Sequence, residues 1–278
     1  MNLRHITARA AVAGTATALL AGGLVTATGV AANADAGAAS DTYTCTIAAL
    51  STTFDVTLDV TSDPGTTYWA GSTVAPGTID TAISAVVPAE TAANLDAFGV
   101  SSAHVDKFAY KVGAGSIPTT AAGGFTVDGG VTTWNATGSN EKFTVTTPGT
   151  KDVVLPSAFD FVVETADFGD IALPCVLADG QTAQSLGSVT INQQTTKTTA
   201  KALKGGIVQA TVQGDASPAA GSVKVLKGKT VLGSGKLKNG VAKINVAKKL
   251  SAGKNKLKVV YAGTPSFAAS SASVTVTK

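Results

Sequence analysis

Apolar and polar positions alternate with a period of two through most of this chain. Phe54, Val56, Leu58 and Val60 are interleaved with Asp55, Thr57, Asp59 and Thr61. Successive side chains of an extended strand point to opposite faces, so this pattern predicts a half-buried strand with an acidic outer face. Asp63-Pro64-Gly65 ends it as a turn. Shorter runs of the same kind occupy residues 105–112, 125–127, 131–134, 143–147, 159–163 and 171–177. Turn residues separate them, at Ala114-Gly115, Asp128-Gly129-Gly130, 135–140 and Pro148-Gly149. One segment departs from the pattern: residues 88–98, stopped by Gly99, predict a single short helix.

The second half alternates more strictly. Val208, Ala210 and Val212 point one way, as do Val223 and Val225, then Ala242, Ile244 and Val246, then Leu257, Val259 and Tyr261, and last Val274 and Val276. Asn239-Gly240 is a hairpin signal, because a type I′ turn needs positive φ at both central positions. About seven short strands in roughly ninety residues predict a two-sheet sandwich. The fold class is therefore all-β: two β-sandwich-like domains, the first with one short helix. A polar stretch, 178–188, reads as a linker between a domain at 41–177 and one at 189–278.

Charge sharpens that boundary. Residues 35–186 hold 4 Lys against 17 Asp and Glu, while residues 187–278 hold 15 Lys against the single acid Asp215. The overall charge of +3 conceals the split. Beyond Arg9 there is no arginine. Such segregation concerns partners and domain contacts rather than fold.

The first 34 residues read as a signal peptide. Arg4, His5 and Arg9 form a basic start, residues 10–34 carry no charge, and Ala32-Asn33-Ala34 is an A-x-A cleavage pattern. A retained membrane anchor is the competing reading, and the Gly and Thr content of the stretch argues against it. No membrane span is expected after cleavage. The last residues read as a strand, without a hydrophobic tail or sorting signal, so the protein is expected to be released or held non-covalently at the cell wall.

An exported chain with an even cysteine count predicts a disulfide between Cys45 and Cys175. Metal-binding thiols would need further ligands, and the exported part has one histidine, His104. That lone histidine, in Ser101-Ser102-Ala103-His104-Val105-Asp106, is also a poor basis for a nucleophile–base pair. It reads as a strand residue sharing a face with Asp106. Asp160, Glu164, Asp167 and Asp170 could supply a carboxylate pair for glycoside hydrolysis, but an acidic domain offers such pairs by chance. No D-x-D-x-D-G calcium loop occurs, and no cofactor is implied. Tyr68, Trp69 and Trp134 are candidate glycan-stacking aromatics.

The run Ala219 through Val225, then Val231-Leu232-Gly233, Ser251-Ala252-Gly253, and Val260-Tyr261-Ala262-Gly263-Thr264-Pro265-Ser266-Phe267 resembles the bacterial immunoglobulin-like repeat family. The resemblance spans about 190–278 and implies an extracellular spacer or adhesive module without catalysis. It departs from the family in placing Lys224, Lys243, Lys256 and Lys258 where Thr and Ser are usual. Those four lysines are the candidate contacts for an anionic partner. Tyr43-Thr44-Cys45 and Leu173-Pro174-Cys175-Val176-Leu177 resemble an uncharacterised β-rich domain of secreted proteins of high-GC Gram-positive bacteria, which implies no activity.

These observations predict a secreted, non-catalytic envelope protein whose lysines meet anionic wall polymer or glycan. Specific nucleic-acid binding is not expected, since base readout and phosphate clamping favour arginine. The alternatives are a glycan-active hydrolase or its accessory subunit, and a structural surface-layer component that self-associates through its acidic and basic halves.

Overall fold

The alternating runs form strands, nearly all antiparallel. The computed structural model describes residues 37–48, 51–65 and 67–278; the expected signal peptide lies outside them. The first body comprises β1 (Gly37–Ile47), β2 (Thr52–Ser62), β3 (Thr67–Trp69), β4 (Thr73–Val74), β5 (Asp80–Val87), α1 (Ala89–Ala97), β6 (Ser102–Asp106), β7 (Ala109–Val112), β8 (Gly115–Asp128), β9 (Val131–Asn140), β10 (Phe143–Thr144), β11 (Gly149–Val154), β12 (Ala158–Thr165), β13 (Gly169–Leu177) and β14 (Ser185–Asn192). The second comprises β15 (Thr196–Leu203), β16 (Ile207–Gly214), β17 (Ser222–Lys227), β18 (Thr230–Lys236), β19 (Val241–Asn245), β20 (Lys254–Tyr261) and β21 (Ser270–Thr277).

The all-β class expected from periodicity holds, and the helix sits where it was expected. The first body adds a closure that periodicity does not reveal. Its strands run β8-β6-β12-β13-β1-β2-β5-β9, each antiparallel to the next, and β9 pairs back onto β8. This ring is a barrel, and closing a sheet removes its unpaired edges. Tyr43, Leu58, Val60, Ile83, Val105, Trp134 and Phe159 are among the side chains buried inside. Each large apolar side chain taken from water contributes roughly 1.5–3 kcal/mol. β8 also carries β7 beyond β6 on the same edge, and β7-β11-β14-β3 extends the sheet outside the ring.

Two glycines let β8 and β9 close tightly. A Cβ on Gly123 would lie 1.8 Å from the Asn135 carbonyl oxygen, and one on Gly138 1.7 Å from that of Thr120. The ring's seam is short. β1 meets β13 only at Tyr43↔Leu177, Thr44↔Val176 and Cys45↔Cys175. The expected disulfide sits on this seam, with Cα atoms 4.0 Å apart and 130 positions between them in sequence.

α1 stops at Gly99, whose φ is +64°. The Gly99 N–H donates to the Asp96 carbonyl at 3.0 Å and the Val100 N–H to that of Leu95 at 2.9 Å. These bonds occupy carbonyls that a helix end leaves free.

The structure alters the expected linker. Residues 185–192 form β14, antiparallel to β11 and parallel to β3, so the second half of the polar stretch and the first residues assigned to the next domain belong to the first sheet. Val189 and Ile191 alternate as in a strand, and a register shift between Val153 and Val154 of β11 leaves Leu186 buried as well. The chain then enters β15 after only residues 193–195. Contacts between the bodies reinforce this short passage: Ser266 Oγ donates to the Thr146 carbonyl at 2.9 Å, and the Phe267 ring lies against Gly71.

The second body is a sandwich of β15-β16-β19 against β18-β17-β20-β21. Val208, Val223, Val225, Ile244, Val259 and Tyr261 fill it. Asn239 and Gly240 have φ of +48° and +73°, as a type I′ turn needs. The turn nevertheless joins β18 and β19 of different sheets, so it is a crossing between layers rather than a two-stranded hairpin.

Candidate functional site

The register of the second body sorts its lysines. On the four-stranded sheet, Lys224 of β17 pairs with Ser234 and Val260, while Lys236 of β18 pairs with Ser222. Lys256 and Lys258 of β20 pair with Thr275 and Ser273 of β21, and Lys254 with Thr277. All five lysines are exposed and share the outer face. Alternate residues of a strand stand about 7 Å apart, so Lys254, Lys256 and Lys258 form a row at that spacing. Lys243 does not join them. It pairs with Gln209 of β16 and stands on the outer face of the opposite sheet. The four candidate lysines therefore divide three to one, and Lys236 and Lys254 complete the larger group.

Among the described residues no carboxylate pairs with that group. Asp215 is the one side-chain carboxylate in residues 187–278, and it accepts from the Thr195 N–H at 2.7 Å and the Thr195 hydroxyl. Among the described residues the ion pairs involve His104, Asp106, Glu164, Lys107 and Asp160, all in the first body.

The candidate aromatics separate as well. Trp134 is fully buried. Its indole N–H donates to the Gly123 carbonyl at 3.2 Å, and its ring meets Phe161 edge-on at 4.9 Å. It is a barrel-core residue and cannot stack on an external sugar. Tyr68 is half-buried, with its hydroxyl donating to the Pro64 carbonyl and its ring edge-on to Phe143. Trp69 alone is well exposed, on the short strand β3.

His104 lies on the barrel's outer face between two carboxylates. Its Nδ1 is 3.2 Å from Glu164 Oε1 and its Nε2 3.8 Å from Asp106 Oδ1. Ser102 Oγ donates to Glu164 Oε2 at 2.7 Å. These two bonds, the serine's first, hold the Glu164 carboxyl below its usual range. Serine and histidine thus both engage the glutamate and not each other, which is not a nucleophile–base geometry. Asp160 is bound to Lys107, whose ammonium is held above its usual range by that hydrogen bond. The carboxylates proposed from sequence stand on an outer face or a turn and do not converge on a cleft.

A further feature lies at one end of the barrel. An apolar cavity of about 300 Å³ opens beneath α1. It is enclosed by Phe54 and Val87 at strand ends, Leu95 of the helix, and Trp134, Phe161 and Leu173 of the wall. Phe98, at the end of α1, and Phe168, in the turn between β12 and β13, stand at its mouth. Their rings meet edge-on at 6.0 Å, although 43% and 67% of their surfaces are exposed. The β8–β9 tip, with Val127 and Val131 exposed, lies beside Val87 at the same end.

Residues 178–277 match the bacterial Ig-like domain (group 3). The match begins ahead of β14, the strand that pairs with β11 and β3 in the barrel's extended sheet. A comparison with curated proteins finds no match. Among solved structures, the fibronectin(III)-like modules of Clostridium thermocellum CbhA align over 78% of this chain and 93% of that one, at 18% identity and a TM-score of 0.24. An overlay that loose carries no shared topology.

The lysine face of the Ig-like module was legible in outline, because Lys254, Lys256 and Lys258 alternate along the first part of β20. The cavity was not. Its lining comes from seven separate segments, and the only local signal was apolar residues continuing to strand ends at Ile47, Val87 and Ile171.

Proposed function

We propose that this protein is a secreted, non-catalytic envelope protein whose Ig-like module attaches it to anionic polymers outside the cell, such as wall teichoic acids or acidic glycans. The observation carrying this reading is the outer face bearing Lys224, Lys236, Lys254, Lys256 and Lys258 with no carboxylate among them. The row's spacing of about 7 Å is shorter than the Debye length of about 10 Å at 0.1 M salt, so the charges act together on a repeating anion. At 1 M salt that length is about 3 Å and the attraction is screened. The short, bonded passage from β14 to β15 would hold the barrel close to the attachment surface.

The test is binding of the purified protein to teichoic-acid-bearing cell walls at low and high ionic strength. Binding should fall steeply with salt. The Lys224→Gln/Lys256→Gln/Lys258→Gln variant should lose most of it, while Lys243→Gln should bind nearly as the parent does. Salt-independent binding, or equal loss in both variants, would overturn the proposal.

A further inference from the structure

We infer that the cavity beneath α1 binds the alkyl chain of a single-chain lipid whose headgroup is uncharged and rich in hydroxyls. Two independent features lead there: the cavity's interior selects the chain, and its rim selects the headgroup.

The interior offers water nothing. The polar residues that border it, Thr91, Asn94 and Thr165, turn no polar atom onto it. An apolar cavity without polar partners stays dry and favours an apolar guest. At about 300 Å³ it stands at the small end of ligand cavities, which run from roughly 300 to 1,000 Å³. That is room for one chain and no headgroup. The cover is lightly attached: of the nine residues of α1, only Thr91 is buried. Elements with little buried apolar surface open most readily. Phe98 and Phe168 at the mouth, with Val127 on the sheet face of Val87 at the same end, leave apolar surface in water beside an apolar hollow. A chain emerging from the cavity would cover it.

The elements around the mouth carry acids and no base. Glu90 and Asp96 belong to α1, Asp167 precedes Phe168 in its turn, and Asp128 sits at the β8–β9 tip, whereas Asp170 pairs with Glu164 on the barrel's outer face. No lysine or arginine occurs in residues 10–106 or 152–196, which supply the helix and the turns around the mouth. A fatty-acid carboxylate or a phosphate would meet only like charge there. Hydroxyl groups can donate to those carboxylates, so a glyceride or sugar headgroup suits the rim.

The experiment uses the purified protein carrying Trp69→Phe, which leaves Trp134 in the cavity wall as the sole indole. Its fluorescence is followed on titration with a nitroxide-labelled monoacylglycerol, then in competition with decyl maltoside, decanoate, maltose and phosphatidylcholine vesicles. The neutral amphiphiles should quench or compete saturably at one per chain. Decanoate should bind about tenfold more weakly at low salt, and the gap should narrow as salt rises. Maltose should have no effect. Leu95→Trp fills the cavity and should abolish competition when binding is read by calorimetry. Phe98→Ser/Phe168→Ser alters only exposed side chains, keeps the fold and should weaken binding several-fold. Absence of quenching in the parent, or undiminished binding by Leu95→Trp, would overturn the site. Decanoate binding as tightly as the neutral chains would overturn the headgroup assignment. Binding to vesicles without binding to monomeric amphiphile would make the apolar mouth a membrane contact instead. The lysine face takes no part in any of these outcomes.

Discussion

The side-chain amide of Gln194 donates to the carbonyl oxygen of Ala70, 2.7 Å away and 124 positions earlier in the chain. It also donates to Ser217 Oγ at 3.0 Å, and its oxygen accepts from the N–H groups of Ala216 and Ser217 at 2.9 and 3.1 Å. Gln194 is fully buried, so one residue satisfies itself by tying the barrel's sheet to the Ig-like module. Gln194→Leu leaves several buried groups without partners, each costing about 1–3 kcal/mol. Denaturant unfolding should show a loss of roughly 3 kcal/mol, and calorimetry should resolve two transitions where the parent shows one. A single transition at the parental midpoint would refute a coupling role.

The disulfide lies on the three-pair seam between β1 and β13. Replacing both cysteines by alanine frees a loop of more than a hundred residues and should cost about 4–5 kcal/mol on the chain-entropy account. The loss should fall on the barrel, so hydrogen exchange should accelerate in β1 and β13 while the amides of β17 and β20 stay protected. Uniform acceleration would contradict this.

Gly138→Ala places a methyl carbon where the Thr120 carbonyl oxygen now stands within 1.7 Å. The neighbour is backbone held in the β8–β9 ladder and cannot swing aside. A loss of at least about 3 kcal/mol is expected. Gly129→Ala, at the open tip of the same hairpin, meets nothing within 4 Å but has φ of +55°, so it should cost about 1 kcal/mol. Reversal of that order in thermal unfolding would count against the tight closure.

Burial pushes the Tyr110 phenol up to about 12, opposed in part by its hydrogen bond with Thr81. Burial moves Tyr43 in the same direction. An unfolded tyrosine ionises near pH 10. Below that pH both states carry the neutral phenol and this contribution is fully present. It is lost as pH rises from about 10 to 12, by up to about 2–3 kcal/mol for Tyr110. Alkaline titration should show tyrosinate absorbance from these residues appearing together with unfolding. Tyr110→Phe should move the alkaline transition to higher pH; an unchanged transition would exclude Tyr110 as its cause.

Much of the fold was legible because strand periodicity reports which side of a residue faces the interior. Val56, Leu58 and Val60 are buried and Asp55, Thr57 and Asp59 exposed, as their alternation requires. The helix was legible from Gly99, whose positive φ makes it a stop. Val189 and Ile191 carried the same alternation in β14, yet the polar residues before them marked a boundary and a register shift interrupts the period at Leu186. Trp134 shows the converse limit. Its neighbours suggested a strand, but an aromatic looks alike in sequence whether its strand curls around it or presents it to solvent.

Alternation, cysteine number and the distribution of charge were enough to establish an all-β chain, one disulfide and a basic second half. Each of these depends on a residue and its near neighbours along the chain. Tertiary structure alone decided that β9 returns to β8, that Lys243 stands apart from Lys224, Lys256 and Lys258, and that an apolar cavity lies beneath α1. The reason is that a strand's own sequence sets which face is apolar but leaves both edges able to bond any backbone. Only the packing of all the strands together determines which edges meet, and therefore which side chains share a face or enclose a space.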